Sequence, residues 1–150
     1  GEAMKAKLLT SLIALGLVAG CQQGPSEEQM AKQGKEPLSG KEIRQTLIGN
    51  TIYTQGISSD GTSWEWAGYY IKGGKARGRA WWNGGQNEGQ GRWRIDGNLL
   101  CSEWGPEDWG EGAENCQRLY KDGQKVTFIV VEGPDDNGTL TLKQGNAHDL

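Results

Sequence analysis

Lys75-Ala76-Arg77-Gly78-Arg79-Ala80-Trp81-Trp82 and Gly89-Gln90-Gly91-Arg92-Trp93-Arg94-Ile95, with Asn83-Gly84-Gly85-Gln86-Asn87-Glu88 between them, are the stretch whose reading decides the fold. Small residues alternate with large or charged ones, a period of two that belongs to a β-hairpin. Pairing Trp82 with Gly89 sets Ala80 opposite Gly91, Gly78 opposite Trp93 and Ala76 opposite Ile95. One face is then small residues against rings, which suits a packed interior. The same register sets Arg79 against Arg92 and Arg77 against Arg94, with Trp81 and Lys75 on that outer face. Like charges across a ladder destabilise it by about a few tenths of a kcal/mol per pair, so an anion is expected beside them.

Outward from this hairpin the pattern repeats. Asp60-Gly61, Gly73-Gly74, Asp96-Gly97, Asp122-Gly123 and Asn137-Gly138 are turn dipeptides between β-favouring runs. They place strands near 51–55, 63–71, 75–82, 89–95, 98–103, 116–121, 125–132 and 139–143. Eight short strands joined mostly by tight turns predict a mainly β, antiparallel meander, and closure into a small barrel removes its edges. A two-layer sandwich is the alternative. One short helix precedes the strands: Ser39 and Glu42 form a capping box, Leu38 and Ile43 stand at the staple positions, and Gly49 stops it.

Composition bounds the rest. Residues 38–150 make a single β domain, and 150 residues leave no room for a second. Glycine is abundant, at 25 residues, but without a Gly-X-Y period, so it marks turns and not collagen. The formal charge of −3 argues against nucleic acid as a partner. Residues 22–37 carry almost no apolar side chain and read as a flexible tether spanning roughly 20 Å.

The first twenty residues read as a signal peptide. Lys5 and Lys7 precede an apolar run from Leu8 to Val18 that is too short to span a bilayer. Gly1-Glu2-Ala3 lie ahead of Met4 and are set aside as an extension. Val18-Ala19-Gly20-Cys21 resembles the lipobox of bacterial lipoproteins. The resemblance implies cleavage before Cys21, a diacylglycerol on its sulfur and acylation of the new amino group. It also implies an envelope location, and Gln22 after the cysteine points to the outer membrane, facing the periplasm. Lipidation of Cys21 leaves Cys101 and Cys116 as a pair, expected to be bridged in an oxidising compartment. Such a bridge stabilises by roughly 3 kcal/mol in the chain-entropy model. His148 is the only histidine, so two cysteines do not complete a zinc site and no metal or cofactor is expected.

A second likeness covers residues 38–146. Gly49-Asn50-Thr51, Gly91-Arg92-Trp93, Leu100-Cys101 with Trp104, Cys116, Tyr120-Lys121-Asp122-Gly123 and Gly145-Asn146 resemble small secreted or lipid-anchored proteobacterial domains of unassigned function. The likeness implies one compact domain with a disulfide and nothing catalytic.

Candidate contact residues fall into two groups. Arg77, Arg79, Arg92 and Arg94, with Trp81, offer guanidinium groups and a flat ring to an anionic envelope lipid or glycan. Alternatively Glu103, Glu107, Asp108, Glu111 and Glu114 fold over those arginines. Trp104 and Trp109 in the acidic loop are expected to be accessible, whereas Trp64, Trp82 and Trp93 are expected to fill the core. The acidic loop lacks EF-hand spacing, and no Gly-x-Ser-x-Gly or phosphate-binding loop occurs. The expected function is therefore non-enzymatic: a lipid-anchored β domain that binds a ligand or an envelope protein. An inhibitor inserting loop 83–88 or 103–114 into an envelope enzyme, and a glycan-active enzyme using the acidic-loop carboxylates, are the alternatives. A deep cavity lined by Trp and Tyr distinguishes ligand binding from inhibition by a protruding loop.

Overall fold

A computed structural model describes residues 24–106, 109 and 112–150. The proposed signal peptide and Cys21 lie outside the described residues. Eight antiparallel strands follow one another around a closed barrel: β1 (Thr51–Ile57), β2 (Ser63–Ile71), β3 (Lys75–Trp82), β4 (Gly85–Asp96), β5 (Leu99–Gly105), β6 (Asn115–Asp122), β7 (Lys125–Glu132) and β8 (Gly138–Lys143). β8 pairs with β1, so no edge strand is left open. The barrel, and not the sandwich, is the solution.

The central hairpin has a different register from the one its sequence suggested. Trp82 pairs with Gly85, so Asn83-Gly84 alone makes the turn, and Gln86-Asn87-Glu88 continue β4. The slip of four residues preserves which side chains share a face. Ala76, Gly78 and Ala80 still line the interior with Gly91 and Gly89, but the arginines no longer oppose each other. Arg79 faces Glu88 and Arg77 faces Gln90, while Arg92 lies between Lys75 on β3 and Glu103 on β5.

Two helices are described where one was expected. α1 (Glu27–Lys32) carries a complete capping box, with Ser26 Oγ accepting from the Gln29 amide and Gln29 Oε1 accepting from the Ser26 amide. Its one large apolar side chain, Met30, is buried against Tyr120 and Ile129 on the outer face of β6 and β7. Glu27 accepts from Arg118 Nε at 2.6 Å, and Lys35 reaches Asp122 at 3.4 Å. From Gly24 to Pro37, then, the segment expected to be a free tether is docked on the barrel wall. Its composition is too polar to fold alone, but one methionine on a ready apolar patch suffices when capping and two ion pairs assist.

α2 (Gly40–Leu47) is the helix the sequence announced. Ser39 and Glu42 close its capping box, and Ile43 and Leu47, one turn apart, have no exposed surface. Both enter the main core with Leu100, Leu119, Val126 and Phe128, plugging the end of the barrel that holds the β2–β3, β4–β5 and β6–β7 turns. No described helix is long and apolar enough to cross a membrane.

The remaining quoted motifs serve this frame. Asn50 Oδ1 accepts from the Gly145 amide, and Thr51 Oγ1 donates to the Gly145 carbonyl, tying the C-terminal tail across the β1–β8 seam. Trp93 Nε1 donates to the Ile71 and Lys75 carbonyls, both at 2.9 Å, clamping the β2–β3 turn. Cys101 and Cys116 lie directly opposite on β5 and β6 and are joined by a disulfide.

Candidate functional site

The interior wall formed by β2, β3 and β4 carries a patch of glycines between its larger side chains, and that patch shapes the site. Gly68, Gly78, Gly89 and Gly91 present backbone where other strands present side chains, and indole rings occupy the space. A Cβ on Gly91 would stand 2.7 Å from Trp104 Cε3, and one on Gly78 would stand 2.8 Å from Trp109 Cζ3 and 3.2 Å from Trp104 Cζ3. All three distances are below ordinary van der Waals contact, so glycine is required for the rings to lie there. Trp104 meets Trp66 edge to face, with centroids 5.0 Å apart, and Tyr70 at 5.9 Å. Trp109 meets Trp66 at 6.2 Å. These are favourable edge-to-face spacings, and they hold three indoles and a phenol in one cluster.

The rings leave a cavity of about 240 Å³ inside the barrel. Ile52, Tyr70, Phe128 and Leu140 contribute its apolar depth, Trp66, Trp104 and Trp109 its wall, and Ser102 and Gln117 its polar contacts. Asp135 and Asp136, on the exposed β7–β8 loop, stand at its mouth. Partial desolvation at the cavity mouth pushes the Asp135 carboxyl up from its ordinary value, and the neighbouring Asp136 carboxylate adds to the effect. The β7–β8 loop is fixed by Asn115 Oδ1, which accepts from the Asp135 amide at 2.9 Å. Tyr70 is fully enclosed at the opposite end of the space, so its hydroxyl is held neutral by desolvation.

The residues named from sequence distribute unevenly. Trp104 and Trp109, expected to be accessible loop residues, line the interior cavity instead, because the glycine wall offers them a flat seat. Trp64 and Trp82, expected in the core, are exposed at the rim at 36% and 42%; only Trp93 of that group is buried. Trp66 and Tyr70 complete the site, and the signal that could have found them is the glycine run on the facing strands.

The arginine face is largely neutralised from within. Arg79 Nη2 lies 2.8 Å from Glu88, Arg92 Nη2 lies 3.2 Å from Glu103, and Arg94 Nη2 lies 2.7 Å from Glu114. The Arg94 and Glu114 pair shift each other in opposite directions: hydrogen bonding to Arg94 lowers the Glu114 carboxyl and hydrogen bonding to Glu114 raises the guanidinium. Trp81 is on the outer face as expected, 5.3 Å from the His148 ring and beneath the Arg79 guanidinium. Glu107, Asp108 and Glu111 lie outside the described residues. Arg77 makes no ion pair among the described residues and lines an outer groove with Lys75, Gln90 and Arg92. Cys101, Cys116 and Glu114 cluster, but both sulfurs are committed to the disulfide and are not free as ligands.

The chain matches no family model, no curated protein and no solved structure among those compared with it.

Proposed function

We propose that this protein is a lipid-anchored component of the bacterial cell envelope whose barrel holds a small, partly apolar ligand. The cavity bounded by Trp66, Trp104 and Trp109 carries the reading, because an interior wall of glycines under indoles preserves a space that ordinary side chains would fill. Its volume of about 240 Å³ suits a bicyclic ring system or a short acyl segment. A 150 Å³ apolar cavity takes benzene, and drug-sized sites begin near 300 Å³. Carboxylates at the mouth favour a neutral or cationic ligand over an anion, and cation–π attraction to the indoles acts in the same direction. The leader from Lys5 to Cys21 supports the anchor and the envelope location.

The test uses N-phenyl-1-naphthylamine, a neutral bicyclic probe. Wild-type protein is expected to raise its emission saturably, with one probe per chain. Ser102→Leu, which extends a side chain into the cavity from β5, is expected to abolish the signal while the protein stays folded by circular dichroism. Equal binding by wild type and Ser102→Leu contradicts the proposal. The anchor is tested separately by incorporation of labelled palmitate into wild type and not into Cys21→Ser.

A second reading rests on the outer groove lined by Lys75, Arg77, Arg92 and Glu103, where Arg92 is paired with Glu103 and the two cations without an ion pair among the described residues, Lys75 and Arg77, suit a phosphate or carboxylate of an envelope lipid or glycan. Arg77→Ala is then expected to weaken retention on anionic vesicles at least tenfold; unchanged retention removes this reading and leaves the cavity untouched.

A further inference from the structure

The exposed large apolar side chains of the described residues share one end of the barrel. They are Ile57 at 74% exposure, Trp64 at 36%, Trp82 at 42% and Val131 at 42%. Ile57 ends β1, Trp64 is the second residue of β2, Trp82 ends β3 and Val131 lies one residue from the end of β7. In an antiparallel meander, those positions lie at the end that holds the β1–β2, β3–β4 and β7–β8 turns. Trp64 and Trp82 are direct cross-strand partners, and each lies over a glycine, Gly56 and Gly85 respectively, which keeps the indoles flat along the rim. The opposite end is closed by α2 and presents no exposed large apolar side chain among the described residues.

The chain emerges at the same end. Asn137 Nδ2 donates to the Pro25 carbonyl at 2.8 Å, and Gly24 packs against the Asn137 backbone, beside the cavity mouth. α1 then runs along β6 and β7 toward the plugged end, where Lys35 meets Asp122. Two residues, Gln22 and Gln23, separate Gly24 from Cys21, a reach of about 10 Å when fully extended. The plugged end lies on the order of 20 Å further away, allowing for strand rise and tilt. An acyl chain on Cys21 therefore holds the aromatic rim, and not the plugged end, against the bilayer.

We infer that the open rim of the barrel docks on the membrane surface, with Ile57, Trp64 and Trp82 in the interfacial layer and the cavity mouth turned toward the lipid. Indoles suit that layer because they combine apolar area with a polar N–H. Asp60, Asp135 and Asp136 at the same end make the rim acidic, so a zwitterionic headgroup surface fits it better than a polyanionic one. The ligand of the cavity then enters from the bilayer. This inference rests on the proposed acylation of Cys21.

The mature lipidated chain is reconstituted into phosphatidylethanolamine–phosphatidylcholine vesicles containing acyl-brominated lipid, which quenches tryptophan at short range. Wild type is expected to show a quenched fraction that falls at least threefold in the Trp64→Phe/Trp82→Phe double variant, with both proteins remaining bound. Unchanged quenching in the double variant, or none in a vesicle-bound wild type, overturns the inference while leaving the anchor intact. Absence of the acyl mass on Cys21 overturns both. A dimer in detergent that disappears in the double variant assigns the rim to a second copy and also overturns it.

Discussion

Gly91→Ala tests the glycine wall with a single methyl group. Gly91 has no positive φ, so alanine is tolerated by the backbone and the effect comes from contact alone. The added Cβ would stand 2.7 Å from Trp104 Cε3, 3.0 Å from Trp104 Cδ2 and 3.1 Å from the Glu103 carbonyl. The carbonyl belongs to the β4–β5 ladder and cannot retreat, so the indole has to move into the cavity. Overpacking of this kind costs about 1–3 kcal/mol, and the reduced freedom of the unfolded chain returns about 0.4–1 kcal/mol. A net loss of about 1–2 kcal/mol is expected, which lowers the urea midpoint by roughly 1 M for a domain of this size. N-phenyl-1-naphthylamine binding is expected to fall in parallel, because Trp104 moves toward the space the probe occupies. Gly138→Ala is the control: nothing lies within 4 Å of its added Cβ, so its stability is expected to stay within about 0.5 kcal/mol of wild type. If Gly91→Ala matched Gly138→Ala in stability and retained full probe binding, the ring-on-glycine account of the cavity would be wrong.

Met30→Ala removes the side chain that seats α1 on Tyr120 and Ile129, and about 2 kcal/mol of stability is expected to go with it; an unchanged denaturation midpoint contradicts the docking of residues 24–37. Replacing Cys101 and Cys116 together by alanine opens a link across 15 residues and is expected to lose about 3 kcal/mol, read by equilibrium denaturation of the oxidised wild type against the variant. Asp135→Asn is expected to stabilise the protein at neutral pH. A carboxyl whose folded pKa is raised contributes its full stability only below its ordinary value and loses it as pH rises through the raised one. The advantage of the variant therefore fades on acidification, and urea midpoints for the two proteins at pH 7 and pH 3 check this.

The barrel was legible because alternation and turn dipeptides are local signals. Asp96-Gly97 and Asp122-Gly123 mark turns where they were expected, with Gly97 and Gly123 at φ 59° and 60°. The register of the central hairpin was not legible in the same way. Gln86-Asn87-Glu88 have poor β-propensity and read as loop, but pairing with Trp81, Ala80 and Arg79 extends β4 through them. The parity of the slip left the interior face correctly assigned. Met30 was invisible because one apolar residue has no period, and its partners Tyr120 and Ile129 are joined only by the β6–β7 pairing. Trp104 and Trp109 look like loop residues until Gly68, Gly78, Gly89 and Gly91 are known to lie side by side on the wall that receives them. The charge on the arginine face followed from composition, but its neutralisation by Glu88, Glu103 and Glu114 depends on the true register.

Native mass spectrometry of the protein released from its own membranes weighs directly what the barrel holds. A noncovalent ligand is expected on wild type, lost on denaturation and absent from the Ser102→Leu variant prepared alongside. The same ligand-free mass for both proteins, or a bound mass that Ser102→Leu leaves in place, contradicts a ligand held among Trp66, Trp104 and Trp109.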